Sequence, residues 1–482
     1  MVGSSQSISV IVGSEHFSTV SCCSAIVNLR NPREGEIATL DLAPDDRTPR
    51  AIAGAFARLI TAGDLRPGDR LPTVRAVAAD LGVSPATVSE AWQALRRTGM
   101  IVSRGRAGSF VHHERPAQWL SPRVLGLVGD VDDQPLDLSR GTPDPALLPP
   151  LAPALGRISP RAGTGVYQES PVLPALEEFL VHDWPTPSPR LTVTNGGLDA
   201  IARVLEQIVR FGDVVALESP GFPPLLDLVD ALGAEVAPIG LDREGLLPDG
   251  LDWALRKRPR AVLLQPRAHN PTGASLTWAR AEELARVLTD HPDGRQTLVI
   301  EDDHSSQIST APDVSLAALV PDRVVHVRSY SKSLGPDLRL AAASGPPDLI
   351  DRVVARRMLG PGWTSRMVQR LALDLLTDVA SVEQVADARR VYAARMNATR
   401  RGLAREGIDV PEHDGINLWL PVADEHAALL HLAAAGIRVA GGSPFVAPGW
   451  SGGDHVRVTA GSLTSEFDVV AARLAEATRA VG

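Results

Sequence analysis

The residue best suited to covalent chemistry is Lys332. The sequence holds two lysines among its 48 basic residues, so chemistry that needs a lysine amine has two candidates. Lys332 follows an apolar run at 324–327 that is typical of a buried strand, and ligands of open α/β sheets collect beyond the carboxyl ends of strands. A desolvated lysine there has a lowered pKa and is a nucleophile toward an aldehyde. Lys257 lies within the arginine-rich segment 256–260, a pattern typical of a solvated surface.

Two further groups of residues are suited to binding a phosphate. Ser329, Ser331 and Arg339 surround Lys332 and supply hydroxyl and guanidinium donors. Gly196 and Gly197 open a predicted helix after a β-like run, where free backbone N–H groups and the positive helix end can cradle an anion. A Gly-Gly pair is weak evidence by itself, but together with Lys332 it predicts an aldehyde ligand that also carries a phosphate.

A third group is suited to an aromatic ring. Asp302 follows an apolar run that ends at Ile300, and its carboxylate could pair with a protonated pyridine nitrogen and strengthen an electron sink. Asn270, in an Asn-Pro turn, supplies an amide donor for a phenolic oxygen. Phe222 follows another predicted strand and could stack on the ring, although an ordinary core phenylalanine is an equally good interpretation. An aldehyde, a phosphate and a pyridine ring together indicate pyridoxal phosphate.

Residues 136–482 have the pattern of a mostly parallel α/β sheet. Short apolar strands are predicted at 214–217, 261–264, 297–300 and 324–327, and they alternate with longer amphipathic helices. The last part, from about 390 to 482, has the pattern of a smaller α+β lobe. In order and spacing, the motifs quoted above closely resemble the fold type I, aspartate aminotransferase-like family of pyridoxal phosphate-dependent proteins.

This resemblance implies roles for three more residues. Arg457, in the segment 455–459, resembles the arginine that grips a substrate carboxylate, a task that suits a bidentate guanidinium. Tyr167 resembles the tyrosine that one subunit offers to its neighbour's cofactor site, which implies a homodimer. His304 stands where the family usually has a tyrosine that donates to the cofactor's phenolic oxygen, and it can replace that tyrosine only in a donor tautomer.

Residues 46–114 have the pattern of a DNA-binding module. One amphipathic helix precedes two short helices, at 73–81 and about 85–98, and Ser84 is placed to cap the last of these before Pro85. An alternating hairpin follows at 100–111. From Arg47 to Arg115 the chain carries 11 arginines against 5 acidic residues, so this segment has a charge of +6 within a chain of net charge −9. A basic module on an acidic body indicates a polyanionic partner.

The segments 65–75 and 81–88 closely resemble the GntR family of bacterial regulators, which predicts a winged helix-turn-helix that places its second helix in the major groove of double-stranded DNA. The resemblance assigns DNA contacts to six residues in the helix-turn-helix and the wing. They are Arg75, Ser84, Thr87, Arg104, Arg106 and Gly108.

The remaining segments and the composition set the cellular context. Residues 1–45 are Ser-rich and are expected to be a disordered extension, and residues 115–135 are expected to be a linker. The adjacent Cys22 and Cys23 exclude a disulfide framework and favour a reducing compartment, so a cytoplasmic location is expected. No apolar run is long enough for a membrane helix, and no metal site is predicted.

A GntR-type reader fused to an aminotransferase-like body resembles the MocR family of bacterial regulators. The resemblance implies a transcription regulator whose aminotransferase-like domain binds pyridoxal phosphate, and an amine or amino-acid effector, to control operator binding. Two alternatives stay open. The chain could be a working aminotransferase with an accessory DNA-binding domain, or a sensor for which pyridoxal phosphate itself is the signal.

Overall fold

The computed structural model describes residues 25–30, 37–42, 47–97, 100–103, 108–111, 121, 123–124, 136–158, 169–412 and 414–481. The chain divides into two compact units. The first contains the residues up to Trp119, and the second contains most of the chain from Leu120 onward. None of the helices in these described ranges has the length and apolar character needed to cross a membrane.

The first unit begins with two paired strands, β1 (Ala25–Arg30) and β2 (Ile37–Leu42), which run antiparallel with Ala25 opposite Leu42. The structure therefore corrects, for these two stretches, the expectation that residues 1–45 are disordered. The physical reason lies in composition, since Ile, Val, Thr and Leu recur at short spacing there and favour extended backbone.

The helix-turn-helix follows as three helices and a hairpin. The helices are α1 (Pro49–Ala62), α2 (Val74–Leu81) and α3 (Pro85–Arg97), and the hairpin strands are β3 (Ile101–Ser103) and β4 (Ser109–Val111). The apolar faces of the helices share one core, in which the rings of Phe56 and Trp92 meet edge to face with centroids 4.7 Å apart. The predicted architecture of this module is confirmed.

Side-chain caps and glycines set the helix boundaries of this module. Thr48 and Thr73 accept hydrogen bonds at the starts of α1 and α2, from the N–H groups of Ala51 and Ala76. Gly63 and Gly82 end the same helices with φ of 86° and 65°, a left-handed conformation that favours glycine. These signals fix the tight turn that joins α2 to α3.

The second unit is a sheet with helices and a smaller lobe. Its strands are β5 (Leu136–Asp137), β6 (Leu191–Thr194), β7 (Val214–Glu218), β8 (Glu235–Ile239), β9 (Leu241–Asp242), β10 (Gly245–Leu246), β11 (Ala261–Leu264), β12 (Leu298–Asp303), β13 (Val324–Ser329), β14 (Ala341–Ser344), β15 (Leu418–Val422), β16 (Ile437–Arg438), β17 (Ala440–Gly441) and β18 (Asp454–Val458). Its helices are α4 (Leu151–Arg157), α5 (Pro174–Asp183), α6 (Gly197–Ile208), α7 (Pro223–Ala231), α8 (Pro248–Leu255), α9 (Trp278–Asp290), α10 (Pro347–Met358), α11 (Arg366–Thr377), α12 (Val379–Arg405), α13 (Glu425–Ala434) and α14 (Phe467–Thr478).

Seven strands form the main sheet in the order β6-β14-β13-β12-β11-β7-β8. β13, β12, β11 and β7 pair in parallel, whereas β14 runs antiparallel to both of its neighbours. β6 therefore points the same way as β13. The loops that follow β6, β7, β11, β12 and β13 all leave from one edge of the sheet. Most of the predicted cofactor-binding residues lie in these loops or at the strand ends before them, whereas Arg457 lies in β18.

The predicted strands are confirmed, and their apolar runs are buried. Every residue of β6, β11, β13 and β14 is buried, which is typical of strands covered on both faces. β12 and β13 extend beyond their apolar runs, through Asp303 and Ser329. The sheet therefore delivers polar side chains directly at its carboxyl edge.

The small lobe has a second sheet in the order β15-β18-β17, packed on α13 and α14. It is not made only of residues after about 390, because β5 pairs in parallel with β16 and Leu138 belongs to the same apolar core. In the stretch expected to be a linker, Arg123 is held by Asp227, whose carboxylate accepts from its backbone N–H at 3.0 Å and its guanidinium at 2.6 Å.

Candidate functional site

Lys332 lies just beyond β13, as the sequence predicts. Burial lowers the pKa of its amine to about 8, an effect that the charge of Asp302 opposes and the charge of Arg457 reinforces. Roughly a tenth of such amines is neutral at pH 7, against well under one in a thousand for an ordinary lysine. The environment therefore gives Lys332 a nucleophilic fraction at physiological pH.

The Asp302 carboxyl group is fixed by a neighbouring amide. It is buried at the end of β12, and its Oδ2 accepts from Nε2 of Gln265 at 2.8 Å. Burial raises the pKa of Asp302 to about 6, against the opposing effects of Gln265 and of Lys332. The group is mostly ionised at pH 7, and it can carry a negative charge for a protonated ring nitrogen.

Asn270 and Arg457 meet in the same buried space. Nη1 of Arg457 lies 3.4 Å from Oδ1 of Asn270, and Nδ2 of Asn417 lies 3.5 Å from the same oxygen. Because this oxygen faces two donors, the amide Nδ2 of Asn270 is the end left to donate to a ligand. This orientation leaves the Asn270 amide available for the donor role that the sequence predicts.

Arg457 is a buried cation that lacks a carboxylate partner among the described residues. Its Nη2 donates to the carbonyl of Ser139, its guanidinium carbon lies 5.0 Å from the ring of Phe445, and its Nε has no hydrogen-bond partner within the described ranges. Burial lowers the pKa of Arg457 to about 10, so it remains charged at pH 7. A Cβ at Gly141, where φ is 64°, would lie 2.9 Å from Nη1. Glycine at position 141 thus leaves space for a guanidinium that has no counter-ion among the described residues.

The predicted phosphate ligands come together where β6 meets α6. Gly196 has φ of 103°, and a Cβ there would lie 2.6 Å from Nη2 of Arg339. A Cβ at Gly197 would lie 3.4 Å from the Cβ of Ser329. Ser331 is half-buried beside Ser329, whose hydroxyl accepts its N–H at 3.4 Å. The free N–H groups at the start of α6, two serines and one guanidinium form a cradle that suits a phosphate.

The sequence allows His304 a donor role only in one tautomer, and its hydrogen bonds show where its N–H points. Burial lowers the pKa of its imidazole to about 3, so the ring is neutral at pH 7 and carries a single N–H. Its Nε2 lies 3.0 Å from the carbonyl of Ala268, which accepts that hydrogen, and Nδ1 faces the Ser305 hydroxyl at 3.2 Å. The ring in this state has no second N–H for a phenolic oxygen.

Phe222 lies in the loop after β7 and is half-buried. Its loop is held at two points, because the N–H of Gly221 donates to the Phe445 carbonyl at 2.8 Å and the Ser219 hydroxyl accepts from the Ala447 N–H at 3.1 Å. These contacts fix the loop at the carboxyl edge of the sheet, where a ring could stack on Phe222.

A group of acidic and histidine side chains lies under the site. Asp303, Asp313 and His326 are close enough to hold a metal ion. Asp303 is instead paired with Arg267 through two hydrogen bonds of 2.9 and 2.7 Å, and Arg328 contacts both aspartates. Burial alone would raise the pKa of Asp303, but the Arg267 guanidinium holds it well below its usual value. Two guanidinium groups therefore already balance these carboxylates.

Sequence reasoning missed several residues that support the site. Gln265 contacts Asp302, and Thr364 donates to Oδ1 of Asn195 at 2.8 Å, directly before the glycine pair. The buried Arg357 donates to Thr364 and to the Val193 carbonyl. A glutamine at a strand end, five residues before Asn270, was a signal for the first of these. Arg357 and Thr364 lie more than 160 residues after Asn195 in the sequence, so no local sequence pattern pointed to them.

In the DNA-binding module, Ser84 caps α3 as predicted. Its hydroxyl accepts from the Thr87 N–H at 3.1 Å and lies 2.9 Å from the Thr87 hydroxyl. Arg75 is exposed near the start of α2. Gly108 has φ of 102°, and a Cβ there would lie 3.1 Å from Nε of Arg70. The predicted site residues Arg104, Arg106 and Tyr167 lie outside the described ranges.

The donor set of the second unit fits the cofactor expected from the sequence. A nucleophilic amine, a carboxylate for a ring nitrogen, an amide donor and an anion cradle that a Cβ at Gly196 would fill all lie at one edge of the sheet. Those residues could hold pyridoxal phosphate, with Lys332 as the residue that reacts with it.

Comparison with known proteins identifies both units. The model of the gntR family of bacterial regulatory proteins matches residues 48–111, and that of aminotransferase class I and II matches residues 133–474. The solved structure of LysN, an alpha-aminoadipate aminotransferase from Thermus thermophilus, has a TM-score of 0.65 and 24% identity, and covers 74% of this chain and 94% of its own. At this identity the likeness shows the fold.

Two regulatory proteins are similar over most of the chain. The vitamin B6 salvage pathway transcriptional repressor PtsJ of Salmonella typhimurium is 35% identical over 90% of this chain and 99% of its own length. The probable rhizopine catabolism regulatory protein MocR of Rhizobium meliloti is 27% identical over 78% of this chain and 81% of its own. Both domain matches and this similarity show that the chain belongs to the MocR-type HTH transcriptional regulators.

Proposed function

We propose that the aminotransferase-like domain of this regulator binds pyridoxal phosphate at Lys332 and a carboxylate-bearing amine at Arg457, and that these ligands control its affinity for operator DNA. The observation that carries the proposal is the buried guanidinium of Arg457, which has no carboxylate partner among the described residues and whose charge acts on the Lys332 amine. A charge buried at this cost calls for a counter-ion, and a ligand carboxylate supplies one next to the group that reacts with amines.

Each residue of the site has a defined task in this proposal. Bound pyridoxal phosphate supplies an aldehyde that reacts with primary amines and a ring that withdraws electrons. Lys332 provides the neutral amine, Asp302 holds the ring nitrogen protonated, and Asn270 donates to the phenolic oxygen. The backbone at Gly196 and Gly197 binds the phosphate. We also propose that the chain acts as a homodimer on operator DNA with two half-sites, since a two-fold protein matches a two-fold operator.

The second candidate is a sensor of the cofactor itself. It is favoured by the similarity to PtsJ, which is named as a repressor of vitamin B6 salvage. In this case pyridoxal phosphate alone changes operator affinity, and Arg457 plays no part. Arg457→Ala separates the two, because it leaves regulation intact in a cofactor sensor and abolishes the response to a carboxylate-bearing amine in the proposed function.

The test is a gel-shift titration on DNA upstream of the protein's own gene, with and without pyridoxal phosphate and an amino-acid mixture, at two salt concentrations. Salt separates nonspecific charge attraction from specific readout. We expect specific binding that the ligands change in the wild type but not in Lys332→Ala, with Lys257→Ala behaving as the wild type. Specific DNA binding that neither pyridoxal phosphate nor the amino-acid mixture changes would overturn the proposal.

The same preparation tests the alternative of a working aminotransferase. Sustained transfer of amino groups to 2-oxo acids at ordinary enzyme rates, of about 1–1000 per second, together with no ligand effect on DNA binding, would favour an enzyme with an accessory DNA-binding domain. Reaction with an amine that stops after one equivalent supports a sensor.

A further inference from the structure

Gln265, just beyond β11, uses both ends of its side-chain amide inside the site. Its Nε2 donates to Oδ2 of Asp302 at 2.8 Å, and its Oε1 accepts from the backbone N–H of Asn270 at 2.8 Å. Its own backbone N–H donates to the buried carboxylate of Glu218 at 2.8 Å. One buried side chain therefore joins the residue assigned to the ring nitrogen with the residue assigned to the phenolic oxygen.

The polarity of this arrangement is fixed. The Asn270 N–H can only donate, so the Gln265 oxygen must face it, and the Gln265 nitrogen must then face Asp302 as a donor. Asp302 Oδ2 is held as an acceptor, which favours the ionised carboxylate. Its Oδ1 lies 3.6 Å from where a Cβ of Gly197 would stand, beside the phosphate cradle. The amide therefore fixes the orientation of Asp302 and favours its ionised form.

Gln265 also connects to the loop of the stacking residue. Glu218, which accepts from the Gln265 backbone, is the last residue of β7, and its Oε2 lies 3.3 Å from Nε2 of His269. Phe222 follows four residues later. The contacts of Gln265 thus reach the carboxyl ends of β7 and β12 as well as its own loop after β11, and the ring-binding residues lie at or just beyond these three strand ends.

We propose that Gln265 is a positioning residue that sets the geometry of Asp302 and Asn270 together and so fixes two edges of the cofactor ring. The inference rests on the proposed function. It adds that the affinity for pyridoxal phosphate depends on an uncharged hydrogen-bond donor at position 265. This position lies outside the Asn-Pro turn from which the role of Asn270 was predicted.

The test uses Gln265→Glu, which has the same size but titrates. When protonated, the introduced carboxyl can donate to Asp302 and accept from Asn270, as the amide does. When ionised, it places a second carboxylate against Asp302, with Glu218, His269, Asp303 and Lys332 as the other titratable groups that face this pair. We expect the dissociation constant for pyridoxal phosphate, relative to wild type, to be within threefold at pH 5.5 and at least tenfold higher at pH 8.5. The readouts are absorbance titration of the apoprotein and the pH profile of the bound cofactor's visible band.

Three further proteins make the result decisive. Gln384→Glu is the matched control, because the Gln384 amide donates to the Leu147 carbonyl, outside the site. The ratio of its dissociation constant for pyridoxal phosphate to that of the wild type should stay near one at each pH. Gln265→Glu combined with Asp302→Asn should lose the pH dependence, since an amide at position 302 is not repelled. Gln265→Asn is too short to make both hydrogen bonds, and it should weaken binding at least fivefold at every pH.

The outcomes distinguish a failure of this inference from a failure of the proposed function. The inference would be overturned if the dissociation constant of Gln265→Glu, relative to wild type, does not change with pH, whether binding is normal or uniformly weakened. If that variant does not fold, normal affinity of Gln265→Asn would overturn it instead. A wild type that shows no Lys332-dependent cofactor binding would overturn the proposed function, and this inference with it.

Discussion

At the scale of single residues, Lys332 is set apart from an ordinary lysine by its lowered pKa. Because the neutral amine is the reacting form, the rate of pyridoxal phosphate capture by the apoprotein should rise about tenfold per pH unit up to the pKa of about 8 and then level off. Stopped-flow absorbance from pH 6 to pH 10 measures this. Lys257→Ala should give the same profile, and a rate still climbing at pH 10 would show that Lys332 is not desolvated.

The same substitution should change the stability of the protein little at one buried arginine and strongly at another. Arg457→Leu removes a charge that has no carboxylate partner in the described structure, so we expect the free energy of unfolding to change by less than about 2 kcal/mol while the response to amino acids is lost. Arg267→Leu removes both of the guanidinium hydrogen bonds to the buried Asp303, leaves only the longer contact with Arg328, and should destabilise by roughly 3–5 kcal/mol.

Chemical denaturation of both variants, with the gel shift as the functional measurement, checks this pair. A loss above about 3 kcal/mol for Arg457→Leu, the size expected when a buried ion pair is broken, would mean that the guanidinium serves the fold. It would remove the main support for a carboxylate ligand.

At the scale of elements, the turn from β6 into α6 carries the phosphate contact. Gly196→Ala places a Cβ 2.6 Å from the Arg339 guanidinium at a φ of 103° and ψ of 163°, a conformation that costs a non-glycine residue about 1–3 kcal/mol. We expect affinity for pyridoxal phosphate to fall at least tenfold and affinity for pyridoxal, which lacks the phosphate, to stay within twofold. Equilibrium dialysis with both ligands measures this.

The control is Gly156→Ala in α4, where a Cβ meets nothing within 4 Å. It should leave both affinities unchanged. Equal losses of pyridoxal and pyridoxal phosphate binding in Gly196→Ala would contradict a phosphate role for this turn.

The sequence predicts what is local along the chain. Some features can be predicted because each sequence signal lies within a few residues of the element that it serves. They are the strands that lead to Asp302 and Lys332, the cap at Ser84 and the glycine pair at 196 and 197. Gln265 and Thr364 were missed because their role depends on neighbours from other strands and loops. The direction of the His304 N–H could not be predicted for a similar reason, since the Ala268 carbonyl that takes its hydrogen comes from a different loop.

At the scale of the whole molecule, the proposed function couples two binding events, and such coupling is reciprocal. If pyridoxal phosphate with an amino acid changes the dissociation constant of the operator by some factor, typically about 5–150-fold, the operator must change the ligand's dissociation constant by the same factor. Fluorescence titrations of each partner in the presence and absence of the other check this. A nonspecific duplex of equal length is the control, and unequal factors would show that the titrations report different species.

The surface of the protein also has a practical consequence. Lys257 is exposed and lies 4.0 Å over the ring of Trp253, whereas the other lysine of the chain would be masked by its ligand. An amine-directed dye or biotin should therefore attach to the cofactor-loaded protein at one side chain besides the amino terminus. With the amino terminus blocked, the regulator can be tethered or imaged through the Lys257 side chain, with no cysteine engineering, and residues 46–114, which contain no lysine, stay unmodified.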